Sequence, residues 1–248
     1  MGFAPLPLIA MGTKLDSYRL SSRDHIGFSR ISPDSGSTVF YIARRGNVSA
    51  SRPTIRKVFK WGFDKAFAAS ALLLTSPVMA AVGIAIRLTS DGPVLFVQKR
   101  VGENGTLFDM LKFRTMHVGS EKLGTYLPSN GDERVTRVGR FLRRHRIDEL
   151  PQFVNVLLGD MSIVGPRPEP LDLVQKKAEV ADDFGFRHAV KPGITGWAQV
   201  GRSYGGDEVE NAELQLLDDL YGIVNASPGL DIEIAFRTVC TMFLGRGK

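Results

Sequence analysis

Residues 66–86 read A-F-A-A-S-A-L-L-L-T-S-P-V-M-A-A-V-G-I-A-I, 21 consecutive positions without a charge. As one straight helix this run is about 31 Å long, the thickness of a bilayer's hydrocarbon core. A transmembrane helix is the simplest reading, and two features argue against a plain span. Pro77 removes one helical hydrogen bond near the middle and crowds the preceding turn, while the hydroxyl of Ser76 beside it is available to a freed carbonyl. Basic residues also crowd both flanks: Lys57, Lys60 and Lys65 before the run, Arg87, Lys99 and Arg100 after it. Positive flanks keep both ends on the cytoplasmic side. A single re-entrant membrane helix hairpin, broken at Ser76-Pro77 with arms penetrating roughly 15 Å, satisfies both. A kinked full span and a buried soluble helix are the alternatives.

The rest of the 248-residue chain does not look like a membrane protein. Its mean hydropathy of -0.04 excludes a multi-pass architecture, and 43% apolar with 23% charged residues is ordinary for a globular domain. The single cysteine, Cys240, excludes a disulfide framework, and four scattered histidines show no metal-ligand spacing. The net charge of +6 conceals a division, because residues 1–146 carry a balance of +13 and residues 147–248 a balance of -7. A basic half calls for an anionic partner: nucleic acid, a membrane surface or a phosphorylated substrate. Residues 1–52 mix Ser, Gly, Arg and Asp without a sustained period and are expected to form a flexible cytoplasmic tail. The opening Met1–Leu6 matches neither a lipidation signal nor a signal peptide.

Beyond residue 90 the pattern is that of a folded domain. V-L-F-V-Q-K-R and T-L-F-D-M-L-K-F flank Asn104-Gly105, a strong hairpin signal. A polar loop containing Gly124, Pro128, Asn130 and Gly131 leads to an arginine-dense stretch from Arg134 to Arg146. Helices are expected near Leu171–Asp183, over Glu208–Val224 and over Asp231–Leu244, the last either packed in the core or lying on the membrane. K-P-G-I-T-G-W-A-Q-V reads as a loop entering a short strand. The predicted fold is α-dominated α+β: tail 1–52, membrane helix 53–90 and a folded domain 91–248 with amphipathic helices and a small β-hairpin.

Asp148-Glu149-Leu150-Pro151 has two readings. As structure, Asp148 caps a helix and Pro151 sits in its first turn. As chemistry, the adjacent carboxylates follow Arg137, Arg140, Arg143, Arg144 and Arg146, and Arg167 lies in a Gly-Pro-Arg-Pro loop. Carboxylates, guanidiniums and glycine turns suit Mg²⁺-assisted chemistry on phosphates.

K-F-R-T-M, R-V-T-R-V-G-R-F-L-R-R, I-D-E-L-P-Q, G-D-M-S-I-V-G-P-R-P and K-P-G-I-T-G-W-A-Q-V follow one another in an order that resembles the bacterial sugar transferases, the monotopic phosphoglycosyl transferases, over about residues 53–248. The chain looks most like short exopolysaccharide-initiating members that act on undecaprenyl phosphate. The resemblance implies transfer of a hexose 1-phosphate from a UDP-hexose to undecaprenyl phosphate with release of UMP, at the cytoplasmic face of the bacterial inner membrane. It makes Asp148 the nucleophile, through a covalent aspartyl-phosphosugar, and Glu149 a Mg²⁺ ligand. It also makes Lys112, Arg114, Arg137 and Arg167 phosphate or nucleotide contacts, although a salt bridge to the acidic half is the structural alternative for each. Membrane lipids are implied partners, a homo-oligomer is compatible with the chain, and nucleic acid is not expected. Where the family often continues with Asn-Gly-Arg, this chain has Gly201-Arg202-Ser203-Tyr204, which leaves Arg202 without a carried-over role. His145 beside the dyad is expected to be a neutral surface residue, since an ionised carboxylate needs no base. The competing readings are a membrane-tethered nucleic-acid-binding module and a non-catalytic scaffold for polysaccharide assembly.

Overall fold

The computed structural model describes residues 26–31, 39–44, 55–120, 132–181, 183–201 and 209–243. The chain divides into two compact units, Met1–Arg52 and Pro53–Lys248. In the first, β1 (Ile26–Ile31) pairs antiparallel with β2 (Val39–Arg44), Ile26 opposite Arg44 and Ile31 opposite Val39. The stretch expected to be a tail without regular elements therefore contains a strand pair. Its signal is the β-branched and aromatic content of I-G-F-S-R-I and V-F-Y-I-A-R on either side of turn-forming S-P-D-S-G-S.

The second unit opens with α1 (Ile55–Thr89), which is long and apolar enough to cross a membrane. Helical backbone carries through Pro77. The expected interruption at Ser76-Pro77 is thus a lost hydrogen bond rather than a lost turn. Pro77 has no N–H to offer the Leu73 carbonyl, and Ser76 Oγ donates to that oxygen instead at 2.8 Å. Leu73 and Leu74 stand 76% and 78% exposed, with Phe59, Phe63, Phe67, Ile84 and Leu88 also exposed. The opposite stripe packs onto the unit's body at both ends. Asp64 accepts from Ser162 Oγ at 2.6 Å, and Ala68 joins Phe108, Met110, Val156 and Met161. Beyond Pro77, Met79, Val82 and Ile86 join Phe113 and Leu142.

In the body, β3 (Leu95–Val101) and β4 (Leu107–Phe113) form the expected antiparallel hairpin. Asn104 (φ 57) and Gly105 (φ 77) occupy the left-handed region that such a turn requires. Helix α2 (Arg137–Arg144) is capped by Thr136, whose hydroxyl accepts from Gly139 N at 2.8 Å. Helix α3 (Gln152–Leu158) follows a 3₁₀ turn at Ile147–Glu149. Strand β5 (Ser162–Val164) pairs in parallel with β6 (Gly193–Thr195). Helices α4 (Leu171–Val180), α5 (Trp197–Gly201), α6 (Ala212–Val224) and α7 (Pro228–Phe243) complete the unit. W-A-Q-V, expected to enter a strand, is helical, and the strand precedes it because Gly193 and Thr195 are taken by pairing with β5. Trp197 packs 4.9 Å from the Tyr221 ring with the Arg237 guanidinium 5.2 Å from its own, inside the α5–α6–α7 contact. Helix α7 buries Ile234, which meets the core-packing expectation, and leaves Ile232, Phe236 and Val239 exposed along one stripe. Lys60 of α1 binds Asp231 of α7 at 2.8 Å.

Candidate active site

The chain reverses between α2 and α3 at Arg146, a non-glycine residue held in left-handed backbone (φ 54, ψ 23). That conformation costs about 1–2 kcal/mol for an L-residue. It turns Ile147–Glu149 inward, so that Asp148 is buried at 9% exposure. Asp148 does not cap α3. The cap position is Pro151, which carries no side-chain cap, so the reading of Asp148 as a capping residue is corrected and its carboxylate is left for other work. Helix α3 is pinned to β4 by the buried Asn155, whose Oδ1 accepts from Leu111 N at 3.0 Å while its Nδ2 donates to Asp109 O at 2.8 Å. This contact brings Lys112, the next residue of β4, to the dyad.

Three cations converge on Glu149: Lys112 Nζ at 3.4 Å and Arg167 Nη1 at 3.6 Å from Oε1, and Arg146 Nη1 at 3.6 Å from Oε2. Burial pushes the Glu149 carboxyl up, but Lys112, Arg167 and Arg146 outweigh it and hold it down at about 2. Asp148 is raised by its own burial and then by the charge of Glu149, against the pull of Lys112 and Arg143. Burial lowers Lys112, opposed by Glu149. The dyad therefore combines one permanently ionised carboxylate with a second that is desolvated and less stabilised, and desolvation makes a carboxylate more nucleophilic.

Arg167 arrives on the Gly165–Pro168 turn. A side-chain carbon on Gly193 would sit 2.1 Å from Gly165 N, and one on Gly165 would sit 2.4 Å from Lys191 O. The Gly-Pro-Arg-Pro and Lys-Pro-Gly-Ile-Thr-Gly motifs thus press backbone to backbone, a contact only glycine permits. Together Arg100, Met110, Lys112, Glu149, Gln152, Arg167, Pro168, Gly193 and Ile194 line a small cavity. Arg100, read from sequence as part of the membrane collar, is one of its walls. Alternation along the hairpin was the available signal for Arg100 and Lys112, since both lie among the inward-facing positions.

Other expected contacts fall elsewhere. Arg114 is buried, but its Nη2 donates to Ser90 O at 2.9 Å and Ser90 Oγ at 2.8 Å, tying β4 to the end of α1. Arg137 is exposed in the first turn of α2 and makes no ion pair with either carboxylate. Arg140 and Arg144 are likewise exposed, whereas Arg143 donates through Nε to Thr115 Oγ1 at 2.7 Å and acts electrostatically on Asp148. His145 ends α2 with Nδ1 2.9 Å from Phe141 O, a structural place. Arg146, missed as a site residue, could have been found from its i,i+3 spacing to Glu149. Arg202 and the loop from Gly124 to Gly131 lie outside the described residues.

Among the described residues there is no cluster of three or more His, Cys, Asp or Glu that could cage a metal. Mg²⁺ usually binds one or two carboxylates and takes its remaining oxygens from water and substrate phosphates. An ionised Glu149 beside Asp148 fits that pattern.

Comparison with known proteins gives a consistent family. A family model described as bacterial sugar transferase matches residues 55–245. The chain is 45% identical over 188 residues to a UDP-N-acetylgalactosamine-undecaprenyl-phosphate N-acetylgalactosaminephosphotransferase of Aeromonas hydrophila, covering 76% of this chain and 44% of that protein. It is 43% identical to a UDP-glucose:undecaprenyl-phosphate glucose-1-phosphate transferase of Escherichia coli, covering 77% and 42%. A shorter relative, an exopolysaccharide production protein of Rhizobium leguminosarum, is 40% identical over 77% of this chain and 98% of its own length. The chain spans less than half the length of the first two. The dyad, the Pro-Arg-Pro turn and the Gly-to-Gly contact all lie within the matched residues, and the chain belongs to the bacterial sugar transferase family.

Proposed function

We propose that this protein transfers a hexose 1-phosphate from a UDP-sugar to undecaprenyl phosphate, releasing UMP, as an opening step in exopolysaccharide or related glycoconjugate synthesis. The observation that carries the reading is the buried Asp148 beside a Glu149 gripped by Lys112, Arg146 and Arg167. The names of the two longer relatives, both undecaprenyl-phosphate sugar phosphotransferases, support the same substrates.

An Asp148 carboxylate oxygen attacks the sugar-bearing phosphorus, and the bond from that phosphorus to the bridging oxygen breaks, so that UMP leaves with the electron pair. An oxygen of undecaprenyl phosphate then attacks the same phosphorus and frees the carboxylate, leaving a lipid-linked diphosphosugar. Lys112 and Arg167 face the cavity where the diphosphate would lie and offset the charge that otherwise repels a carboxylate. When bound at Glu149, Mg²⁺ supplies further neutralisation of the phosphate oxygens.

The lipid substrate requires a membrane seat, and α1 supports a re-entrant one. Both ends of its inner stripe, Asp64 with Ala68 and Met79 with Ile86, pack on one body, which favours one side of the bilayer for both. An unbent helix would separate Ala68 from Ile86 by about 27 Å. Met110 and Phe113, in the two clusters they join, are about 10 Å apart along a strand. On this reading the helix bends at Pro77, where one backbone hydrogen bond is lost, and the catalytic body lies at the cytoplasmic face.

The test is a panel of UDP-sugars, labelled in the sugar, given to the reconstituted protein with undecaprenyl phosphate and Mg²⁺. At least one sugar is expected to give UMP and labelled lipid in equal amounts, and chelation of Mg²⁺ to suppress both. Without lipid, a UMP burst equal to the enzyme and a phosphosugar adduct on Asp148 are expected. Absence of UMP with every sugar would overturn the activity, and a burst that requires lipid would overturn the covalent route.

A further inference from the structure

The turn from Pro166 to Glu169 contains few donors of its own, because Pro166, Pro168 and the following Pro170 have no N–H. Its carbonyls are instead held from outside, one by one. Gly193 N donates to Pro166 O at 2.9 Å, Arg187 Nη2 to Arg167 O at 2.9 Å, Arg100 Nη1 to Pro168 O at 3.3 Å and Val101 N to Glu169 O at 2.9 Å. Of these four donors, Arg100 and Gly193 line the cavity, whereas Arg187 belongs to a buried ionic network apart from it. Arg187 is 1% exposed, its Nε donates to Asp219 Oδ2 at 2.8 Å, and its Nη1 lies 3.6 Å from Glu169 Oε2. Glu169 in turn accepts from Lys177 Nζ at 2.7 Å and Gln215 Nε2 at 2.8 Å, and Phe184 lies against both cations, 4.9 Å from Arg187 and 5.5 Å from Lys177. Two positive and two negative charges buried in this way are a costly filling for a core, often no more stabilising than apolar side chains of the same volume.

We propose that Arg187, locked by Asp219 and Glu169, is a positioning residue that holds the Arg167 carbonyl and thereby sets the reach of the Arg167 side chain to Glu149 and to substrate phosphate. Arg187 touches no reacting atom. Its fork is divided between two carboxylates and one carbonyl, a division a lysine cannot reproduce. The inference rests on the proposed activity only for its kinetic arm.

Two measurements on the full-length protein test it, with Asp219→Asn as a milder variant should Arg187→Lys not fold. In the first, Arg187→Lys is expected to lower kcat/KM for UMP release about 10²-fold, as misplacement of a substrate-contacting group does. In an Arg167→Ala background the same change is expected to cost less than about twofold. Equal losses in both backgrounds, or no loss in the wild-type background, would overturn the proposal. The second is amide hydrogen exchange, which needs no substrate. The Gly193 and Val101 amides, donors to the turn, are expected to exchange faster in Arg187→Lys while the Leu111 amide bound by Asn155 is unchanged. Unchanged exchange at the turn, or acceleration everywhere alike, would overturn it. If wild-type protein releases no UMP from any UDP-sugar, the activity fails and hydrogen exchange still decides the role of Arg187.

Discussion

Glu149 and Glu169 each sit among one lysine and one or more arginines, yet the two constellations are built differently. Around Glu149 the cations stand off at 3.4–3.6 Å, and the group borders a cavity. Around Glu169 the lysine closes to 2.7 Å on Oε1, a glutamine donates to the same oxygen, Arg187 stands 3.6 Å from Oε2 and almost no surface remains. The same charges therefore serve opposite ends. A closed network fixes backbone, whereas a loose one, on the proposed function, leaves donors able to turn toward an incoming phosphate, the condition for interactions that strengthen only as the reaction proceeds.

The largest effect expected is at the dyad. Asp148→Asn should lower UMP release by at least about 10³-fold with the melting temperature unchanged or raised, since a buried charge is removed. Residual turnover within tenfold of wild type would eliminate Asp148 as nucleophile. The two glutamates can then be set directly against each other. Glu169→Gln strands Lys177 and Arg187 and should cost about 3–5 kcal/mol by denaturant unfolding. Glu149→Gln also strands cations, Lys112, Arg146 and Arg167, but these reach solvent or the cavity, so it should cost clearly less stability than Glu169→Gln while lowering kcat about 10²–10³-fold. Equal destabilisation by both would collapse the distinction.

A smaller effect appears in the pH profile. Burial and the Glu149 charge raise Asp148 above its ordinary 3.8, so its protonated, inactive form persists to higher pH, and kcat/KM falls as pH drops through a point above that value. Glu149, held at about 2, stays ionised throughout. Lys112 favours the Asp148 carboxylate, so Lys112→Met should move the acid limb upward; a downward shift contradicts the electrostatics described for the site. Smallest is Arg146→Gly. Relief of left-handed backbone, offset by the entropy of glycine, should change stability by no more than about 1 kcal/mol in favour of the variant. Loss of one Glu149 partner should lower activity about tenfold.

How much of this was legible in the sequence depended on distance along the chain. The β3–β4 hairpin could be read because Asn104-Gly105 carries its own turn chemistry, and the donation from Ser76 to the Leu73 carbonyl because both residues lie within one turn of Pro77. Asp148, Glu149, Lys112 and Arg167 were reached through motif resemblance, and the fold brings all four together. Arg114 and Arg137 lie in the same family motifs, K-F-R-T-M and R-V-T-R-V-G-R-F-L-R-R, yet one is bound to Ser90 and the other is exposed. The Glu169–Lys177–Arg187–Asp219 network was invisible, because its members come from separate elements and each looks like an ordinary surface charge until α4 and α6 close over it. The three-residue strands β5 and β6 are too short for any periodic signal, and their pairing depends on glycines meeting across the fold.

The Pro166–Glu169 turn also decides which changes this chain can absorb. Its acceptors are occupied by four donors from three separate segments, Arg100 and Val101 of β3, Arg187 and Gly193, all of them directed at backbone, so its path is indifferent to which side chain stands at 167 but intolerant of any change in length. A substitution there alters the side chain offered to the cavity and removes one of the cations around Glu149, while the backbone path stays as it is. A single inserted residue would put every one of those four contacts out of register at once.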